Sequence, residues 1–406
     1  MDESETKQVP DLPDDATSQL LMLRDAALEQ YGKAVTHLRA GDDVTNEALV
    51  HSNCGRVMRL HAHAIARSCG DTADGEMTRR EQELMGKAVE HYQRGLECIQ
   101  VCPSSDTWQC VTSNLAGVYY TFALQMQERP PLSRQTVEEV EKSIAEFMQR
   151  SLKLYDSIVK CADATDRIKD EAYSRMFEIH YRLASMYHQT HRTLMASSTQ
   201  TRRCKTIRTL TDLHYGKAAD VYHAWTGDTL LNTHRNAQHA LACARMAMQH
   251  VGYYENLADP SVTPSASTQR HNNLLALRLL LTTCTHAFES FWMDGCAPGD
   301  KALQKIGHTQ LSDLDDSLRQ EYHKLSELYV SRLQCVLQSV LKTTMLLNKS
   351  GHSAAASIGM NDINVWKAVY AQSLKLKPTE PITLAQIQDV LKEMYEKQLK
   401  CLFDAL

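Results

Sequence analysis

Eighteen histidines and twelve cysteines are enough donors for several metal centres, so their spacing is the first question to ask of this chain. His61-Ala62-His63 sets two imidazoles two positions apart, and on a helix those point to different faces. His188 and His191 lie three apart and can share a face; His234 and His239 do so less well. Cys98 and Cys102 are four apart on one helical face, but spacing fixes neither Cys110 nor His91 beside them. No HExxH or CxxC occurs, so the sequence sets no third and fourth ligand. The bland reading, core or solvated side chains, is preferred, and neither a metal nor a cofactor is expected. Nucleophilic and phosphate-binding chemistry is equally unsupported, since GxSxG, Walker A and GxGxxG motifs are absent. Asp313, Asp315 and Asp316 gather where a helix should begin, where carboxylates meet the positive end of the helix dipole. No catalytic residue is assigned.

The elements that must position these residues read as helices. With 16 Gly and 10 Pro in 406 residues, punctuation is sparse. The expected spans are 16–40, 46–69, 77–102, 107–128, 133–161, 165–192, 202–226, 228–256, 268–294, 312–349, 362–375 and 383–404. Gly41-Asp42-Asp43, Pro103 to Asp106 and Pro130-Pro131-Leu132-Ser133 carry turn chemistry, with Ser133 expected as an N-cap. Strand alternation and hairpin turns are missing. In 312–349 the series Leu314, Leu318, Leu325, Leu328, Leu333 and Leu337 reads as one long core helix. Residues 1–15 read as a disordered leader, 16–256 as a helical array, 257–267 as a flexible break and 268–406 as a C-terminal helical block.

The net charge of −5, with both signs interspersed, disfavours direct nucleic-acid binding. Arg202-Arg203-Cys204-Lys205 is a short basic patch that could serve nuclear import. The most apolar run, Leu274 to Leu281, includes Arg278 and is too short for a membrane span, so no membrane partner is expected. Cysteines without paired spacing, several on apolar faces (Cys98, Cys243, Cys284, Cys335), indicate a reducing, intracellular compartment.

Small and aromatic residues recur at fixed offsets. Leu183-Ala184-Ser185-Met186-Tyr187 and Leu115-Ala116-Gly117-Val118-Tyr119 place a small residue after an aliphatic and an aromatic one turn on. Cys54-Gly55-Arg56-Val57-Met58 is a degenerate version. A complementary set is Ala27/Tyr31/Ala34/Val35, Ala88/Tyr92/Gly95/Leu96, Ile144/Met148/Ser151/Leu152 and Ala218/Tyr222. The two sets alternate along the chain, as the two helices of tetratricopeptide (TPR) units do: small residues admit a neighbouring helix and aromatics fill the gap one turn away. The expected fold is therefore all-α, a TPR-like helical-hairpin array (α-solenoid) with elongated helices, since the repeat is about twice the usual ~34 residues.

The segments SNLAGVYYTFALQMQERPPLSRQTVEEVEKSIAEFMQRSLKLYD (113–156), IHYRLASMYHQTHR (179–192) and DLHYGKAADVY (212–222) resemble the C-terminal TPR region of the erythroid differentiation-related factor 1 family. THAFESF (285–291) and SRLQCVLQSVLK (331–342) are more loosely similar. The resemblance implies a nuclear protein linked to transcriptional activation in erythroid differentiation, and no catalytic residues. The family's proteins are much longer, and the resemblance covers only their C-terminal part.

Counting from the aliphatic position of each first helix puts Asn53, Arg56, Asn114, Tyr120, Arg182 and His188 on the concave face where such arrays receive peptides. Asn114 and Arg182 match two positions of a clamp for C-terminal carboxylates, but Ser52 and Glu178 stand where that clamp has lysines. The expected function is a protein–protein interaction scaffold working through this groove. The alternatives are a general cytoplasmic adaptor or an all-α enzyme, for which a deep pocket of shifted acidic or histidine residues would be the sign.

Overall fold

The computed structural model describes residues 14–68, 77–100, 105–130, 136–197, 202–228, 233–288, 291–292, 309–310, 314–350 and 363–376. Twelve α-helices occur among them: α1 (Asp14–Ala40), α2 (Val44–Ser68), α3 (Arg79–Cys98), α4 (Asp106–Glu128), α5 (Val137–Val159), α6 (Asp166–Ala196), α7 (Arg202–Asp228), α8 (Thr233–Leu257), α9 (Ala266–Leu279), α10 (Thr285–Phe288), α11 (Asp316–Lys349) and α12 (Ile363–Ser373). A π-helical turn, Leu280–Cys284, joins α9 to α10, and just past it Thr285 Oγ1 donates to the Leu280 carbonyl five residues back. Two two-residue strands, Phe291–Trp292 and Thr309–Gln310, pair in parallel. The fold is an all-α helical repeat, and the expected spans from 16 to 375 hold to within a few residues, except that the helix expected over 268–294 ends at Phe288 and Phe291–Trp292 within it is a strand. The expected helix 383–404, most of the leader and residues 351–361 lie outside the described residues. The chain divides into two compact units within α6, Met1–Ala172 and Tyr173–Leu406.

In the first unit, successive pairs follow the small-against-aromatic rule. Gly55 of α2 lies under the Tyr92 ring of α3, so close that a Cβ would sit 2.6 Å from it. Gly95 brings α3 onto the Ala48 carbonyl of α2, where a Cβ would stand 3.0 Å from the oxygen. Ala88 and Tyr92 are buried. In the pair α4/α5, Leu115, Ala116, Tyr119, Ile144 and Met148 are buried, and Ser151 Oγ donates 2.8 Å to the Ala116 carbonyl across the contact. Ala27 and Tyr31 of α1 are only half-buried, short of the core positions assigned to them, because α1 packs chiefly on α2.

Helix starts are fixed by local chemistry. Thr78 caps α3 and Thr136 caps α5, each in a reciprocal capping box, with Glu81 and Glu139 respectively. The fifth helix therefore starts at Val137, after Thr136 and not after Ser133; a Thr-x-x-Glu box satisfies two backbone donors, which a lone serine does not. Glu81, 1% exposed, also forms an ion pair with Arg129 at the end of α4, which compensates its buried charge. Between α1 and α2, Asp42 adopts φ 57°, and Asp43 Oδ1 accepts the Asn46 N–H at 3.2 Å.

In the second unit, Leu183, Ala184 and Tyr187 of α6 and Ala218 and Tyr222 of α7 are buried, as their repeat positions require. α8 is buried on most sides, with Ala237, Ala240, Cys243, Ala244 and Ala247 at 0–1% exposure. Within the anticipated break 257–267, a hydrogen-bonded turn follows α8: Asp259 Oδ1 accepts from Ser261 N at 2.8 Å, and Asn272 Nδ2 donates 3.0 Å back to the Leu257 carbonyl. Asp315 caps α11 through Leu318 N at 2.8 Å, as the acidic run suggested. Of the leucine series, Leu328 is exposed and the others are buried. Cys243 and Cys284 are core residues, whereas Cys335 is exposed and not on an apolar face.

Candidate functional site

Chemistry-bearing side chains concentrate where α6, α8 and α11 meet in the second unit. Ser185, His188, Gln189 and Arg192 follow the i, i+3, i+4, i+7 rhythm of one helical face. Gln249, Gly252 and Asn256 repeat it on α8, and Arg332 reaches in from α11. Together they line a recess of about 340 Å³. Among its lining residues there are two guanidinium groups and no carboxylate.

Each arginine is held differently. Gly252 leaves room for Arg332 where it lies: a Cβ there would stand 2.9 Å from Nη1 and 3.1 Å from Nη2, so a larger residue would shift the guanidinium. Arg332 donates to the Met248 carbonyl and sits 3.5 Å from Glu255. Its charge is thus partly engaged. Arg192 is exposed and makes no ion pair among the described residues, so its fork remains available to a bound anion.

Below the recess lies a layer of histidines and tyrosines. His188 Nδ1 is 3.1 Å from the Tyr215 hydroxyl, and its ring meets Tyr253 edge-on at 4.7 Å. His191 Nδ1 is 3.2 Å from the Tyr253 hydroxyl. His250 stacks on Tyr215 at 4.5 Å and faces Asp212 at 3.4 Å. His180 and His214 approach Nδ1 to Nδ1 at 3.0 Å. Burial, reinforced for His188 by Arg192 and neighbouring histidines, lowers His188 to about 4; burial does the same to His180 and His214. These imidazoles are neutral at pH 7, and burial pushes the phenols of Tyr215 and Tyr253 upward, keeping them protonated donors. His188 and His191 do share a face, as their spacing allowed, but they spend it on phenols. No nucleophile–base pair arises in this layer; its effect is to hold the recess walls in place.

The positions picked out by counting along the first helices fall in several places. His188 is part of the recess. Arg182 lies on the same helix but pairs with Glu178 at 3.3 Å and does not line it. Asn53 and Arg56 are exposed on α2, and Asn114 Nδ2 donates 3.2 Å to Ser52 Oγ, bringing α4 alongside α2. Tyr120 is 4% exposed. It belongs to the core and not to a binding face, because α4 turns that side inward together with Ala116 and Ala123. Counting one turn past His188 reaches Arg192; Gln249, Asn256 and Arg332 carried no repeat signature and come together only through packing. His61 and His63 diverge, to Arg24 at 2.7 Å and Gln125 at 3.1 Å respectively. His239 packs on Trp225 with ring centroids 3.6 Å apart.

No helix among the described residues is long and apolar enough to cross a membrane. The chain is 27% identical over 378 residues to "Erythroid differentiation-related factor 1" of Homo sapiens, covering 89% of this chain and 27% of that protein. It is 28% identical over 366 residues to the protein of that name from Mus musculus, again covering 89% of this chain and 27% of the relative, so it spans little more than a quarter of their length. The match to the family described as "Erythroid differentiation-related factor 1-like, TPR repeats" extends over residues 1–400, and the chain belongs to that family.

Proposed function

We propose that this chain is a non-enzymatic scaffold that captures a partner protein, with the recess between α6, α8 and α11 taking an acidic side chain or a C-terminal carboxylate of the partner's segment. The observation that carries the reading is the pairing of Arg192 and Arg332 in a recess that no carboxylate lines among the described residues. Gln189, Gln249 and Asn256 beside them can bond the main chain of an extended segment through both amide donor and carbonyl. Asn53, Arg56 and Asn114 on the first unit, and separately Arg182 on the second, are further polar side chains that a partner could bond within each unit. The relatives' name ties them to erythroid differentiation, and the setting proposed for this chain is a nuclear regulatory assembly; a cytoplasmic adaptor would use the same recess. A net charge of −5 supports proteins rather than nucleic acid as direct partners.

The test uses the full chain and a panel of immobilised peptides, each acidic member matched by its Asn/Gln counterpart or its C-terminal amide. Wild type should prefer the acidic member, increasingly so as salt is lowered. Arg192→Glu should reduce binding at least tenfold with unchanged helicity, whereas Asn114→Ala/Arg182→Ala should weaken it less. Binding that ignores peptide charge, or is equal in wild type and Arg192→Glu, would overturn the assignment.

A further inference from the structure

The first unit contains a second constellation, unrelated to the recess. Glu47 and His51 stand one turn apart on α2, and Cys98 ends α3. One donor atom from each (carboxylate oxygen, imidazole nitrogen and Sγ) lies within 4.8 Å of the others. Glu47 and His51 are each 5% exposed, while Cys98 is half-buried and leaves a side open to solvent. His51 Nε2 stands 3.8 Å from Glu47 Oε1, buried and without a hydrogen-bond partner among the described residues. A polar nitrogen shut away from water with nothing to bond is costly, and it calls for an explanation.

We propose that Glu47, His51 and Cys98 form a binding site for a divalent ion of the zinc class, bridging the start of α2 to the end of α3. Mixed carboxylate, imidazole and thiolate donors suit Zn²⁺ or Co²⁺ and are poorly matched to Mg²⁺ or Ca²⁺. In a tetrahedral site with bonds of ~2.0–2.3 Å the donors stand roughly 3.3–3.7 Å apart, so the present spacing, within 4.8 Å, needs to close by about 1.5 Å at most. His91 completes the arrangement: its Nδ1 lies 3.4 Å from His51 Nδ1. When His51 donates that hydrogen, Nε2 keeps its lone pair and the ring is held in the orientation a ligand needs. On binding, the Cys98 thiol gives its proton to solvent, so thiolate and carboxylate together neutralise the 2+ charge. Solvent, entering by the open side, fills the fourth position. Arg39 now pairs with Glu47 Oε1 at 2.5 Å, but its side chain is 67% exposed and can remain on the carboxylate's outer lone pair or swing away. Spacing in the sequence could not find this set, because α2 and α3 contribute to it from 40 or more residues apart.

Cobalt titration of the reduced full chain, freed of metal beforehand, is the probe. Wild type should bind one Co²⁺ with the thiolate-to-metal charge-transfer band and the strong d–d absorption of a four-coordinate ion, both bleached by Zn²⁺. Cys98→Ser, nearly isosteric and expected to fold, should lose the charge-transfer band. His51→Ala should weaken Co²⁺ at least tenfold, while Cys110→Ser, on exposed α4 surface, should change nothing. Zn²⁺ should also raise the melting temperature of wild type and not of Cys98→Ser. Absence of a thiolate band in wild type, or its persistence unchanged in Cys98→Ser, would overturn the site.

Discussion

Replacing Gly55 by alanine isolates the contact on which the helix pairing rests. In a helix interior Gly→Ala normally stabilises by about 1 kcal/mol, because alanine has less backbone freedom to lose. At Gly55 the added Cβ would stand 2.6 Å and 2.7 Å from two Tyr92 ring carbons and 3.1 Å from the Ala88 carbonyl oxygen. Tyr92 is 1% exposed, so its ring cannot retreat into solvent, and overpacking of this kind costs roughly 1–3 kcal/mol. Gly86, on α3 of the same unit, has nothing within 4 Å of its notional Cβ and should give the propensity gain alone. The difference between Gly55→Ala and Gly86→Ala therefore measures the contact directly, at about 1–3 kcal/mol, with propensity cancelled. Equilibrium urea unfolding followed by far-ultraviolet circular dichroism is the assay, and both substitutions report on one unit even if the two units unfold separately. Adding Tyr92→Leu to Gly55→Ala should recover part of the loss as a coupling energy above ~0.5 kcal/mol. If Gly55→Ala stabilised as much as Gly86→Ala, the small-against-aromatic account of the pairing would be wrong.

Two further outcomes follow from burial. Ala184→Leu and Ala218→Leu, both at 0% exposure, should each cost about 1–3 kcal/mol, read as a lower denaturation midpoint; unchanged midpoints in both would count against the α6/α7 pairing. Because His180, His188 and His214 titrate near 4 in the fold but near ~6.5 when unfolded, the unfolded chain binds more protons between those values. Stability should thus be fully present above pH 6.5 and fall as pH drops towards 4, with about 3 kcal/mol from buried His214 alone. Melting temperatures at pH 7, 5.5 and 4.5 check this, and a His214→Phe variant that showed the same pH slope as wild type would refute it.

Most of the fold was legible because its contacts are set by residue size at helical spacing. Leu183-Ala184 with Tyr187, and Ala88 with Tyr92, mark helix faces whatever the loop lengths, so the alternation survived a repeat twice the standard length. Helix ends were less legible where two signals competed. Pro130-Pro131 drew the start of the fifth helix to Ser133, while the Thr136–Glu139 box three residues on was the stronger chemical signal. Tyr120 was misplaced for a related reason: counting from Leu115 assumes one inner and one outer face, but α4 is buried on several sides. The recess was legible only through His188. Its other wall depends on Arg332 reaching the Met248 carbonyl across 84 residues of sequence, and no local pattern encodes that.

The histidines show why residue type alone misled in both directions. Their number suggested metal, yet in the second unit each described imidazole near the recess is matched to a phenol, a carboxylate or another imidazole and kept neutral by burial. Neutral imidazole is well suited to that place: it is flat enough to stack, polar enough to bond a tyrosine, and carries no charge to desolvate. A lysine or glutamate there would need a buried partner of opposite sign. The consequence is that the cations lining the recess are guanidinium groups and not imidazolium. An acidic segment held there should therefore lose affinity on acidification only when its own carboxylates take up protons, or when the histidine layer beneath begins to open.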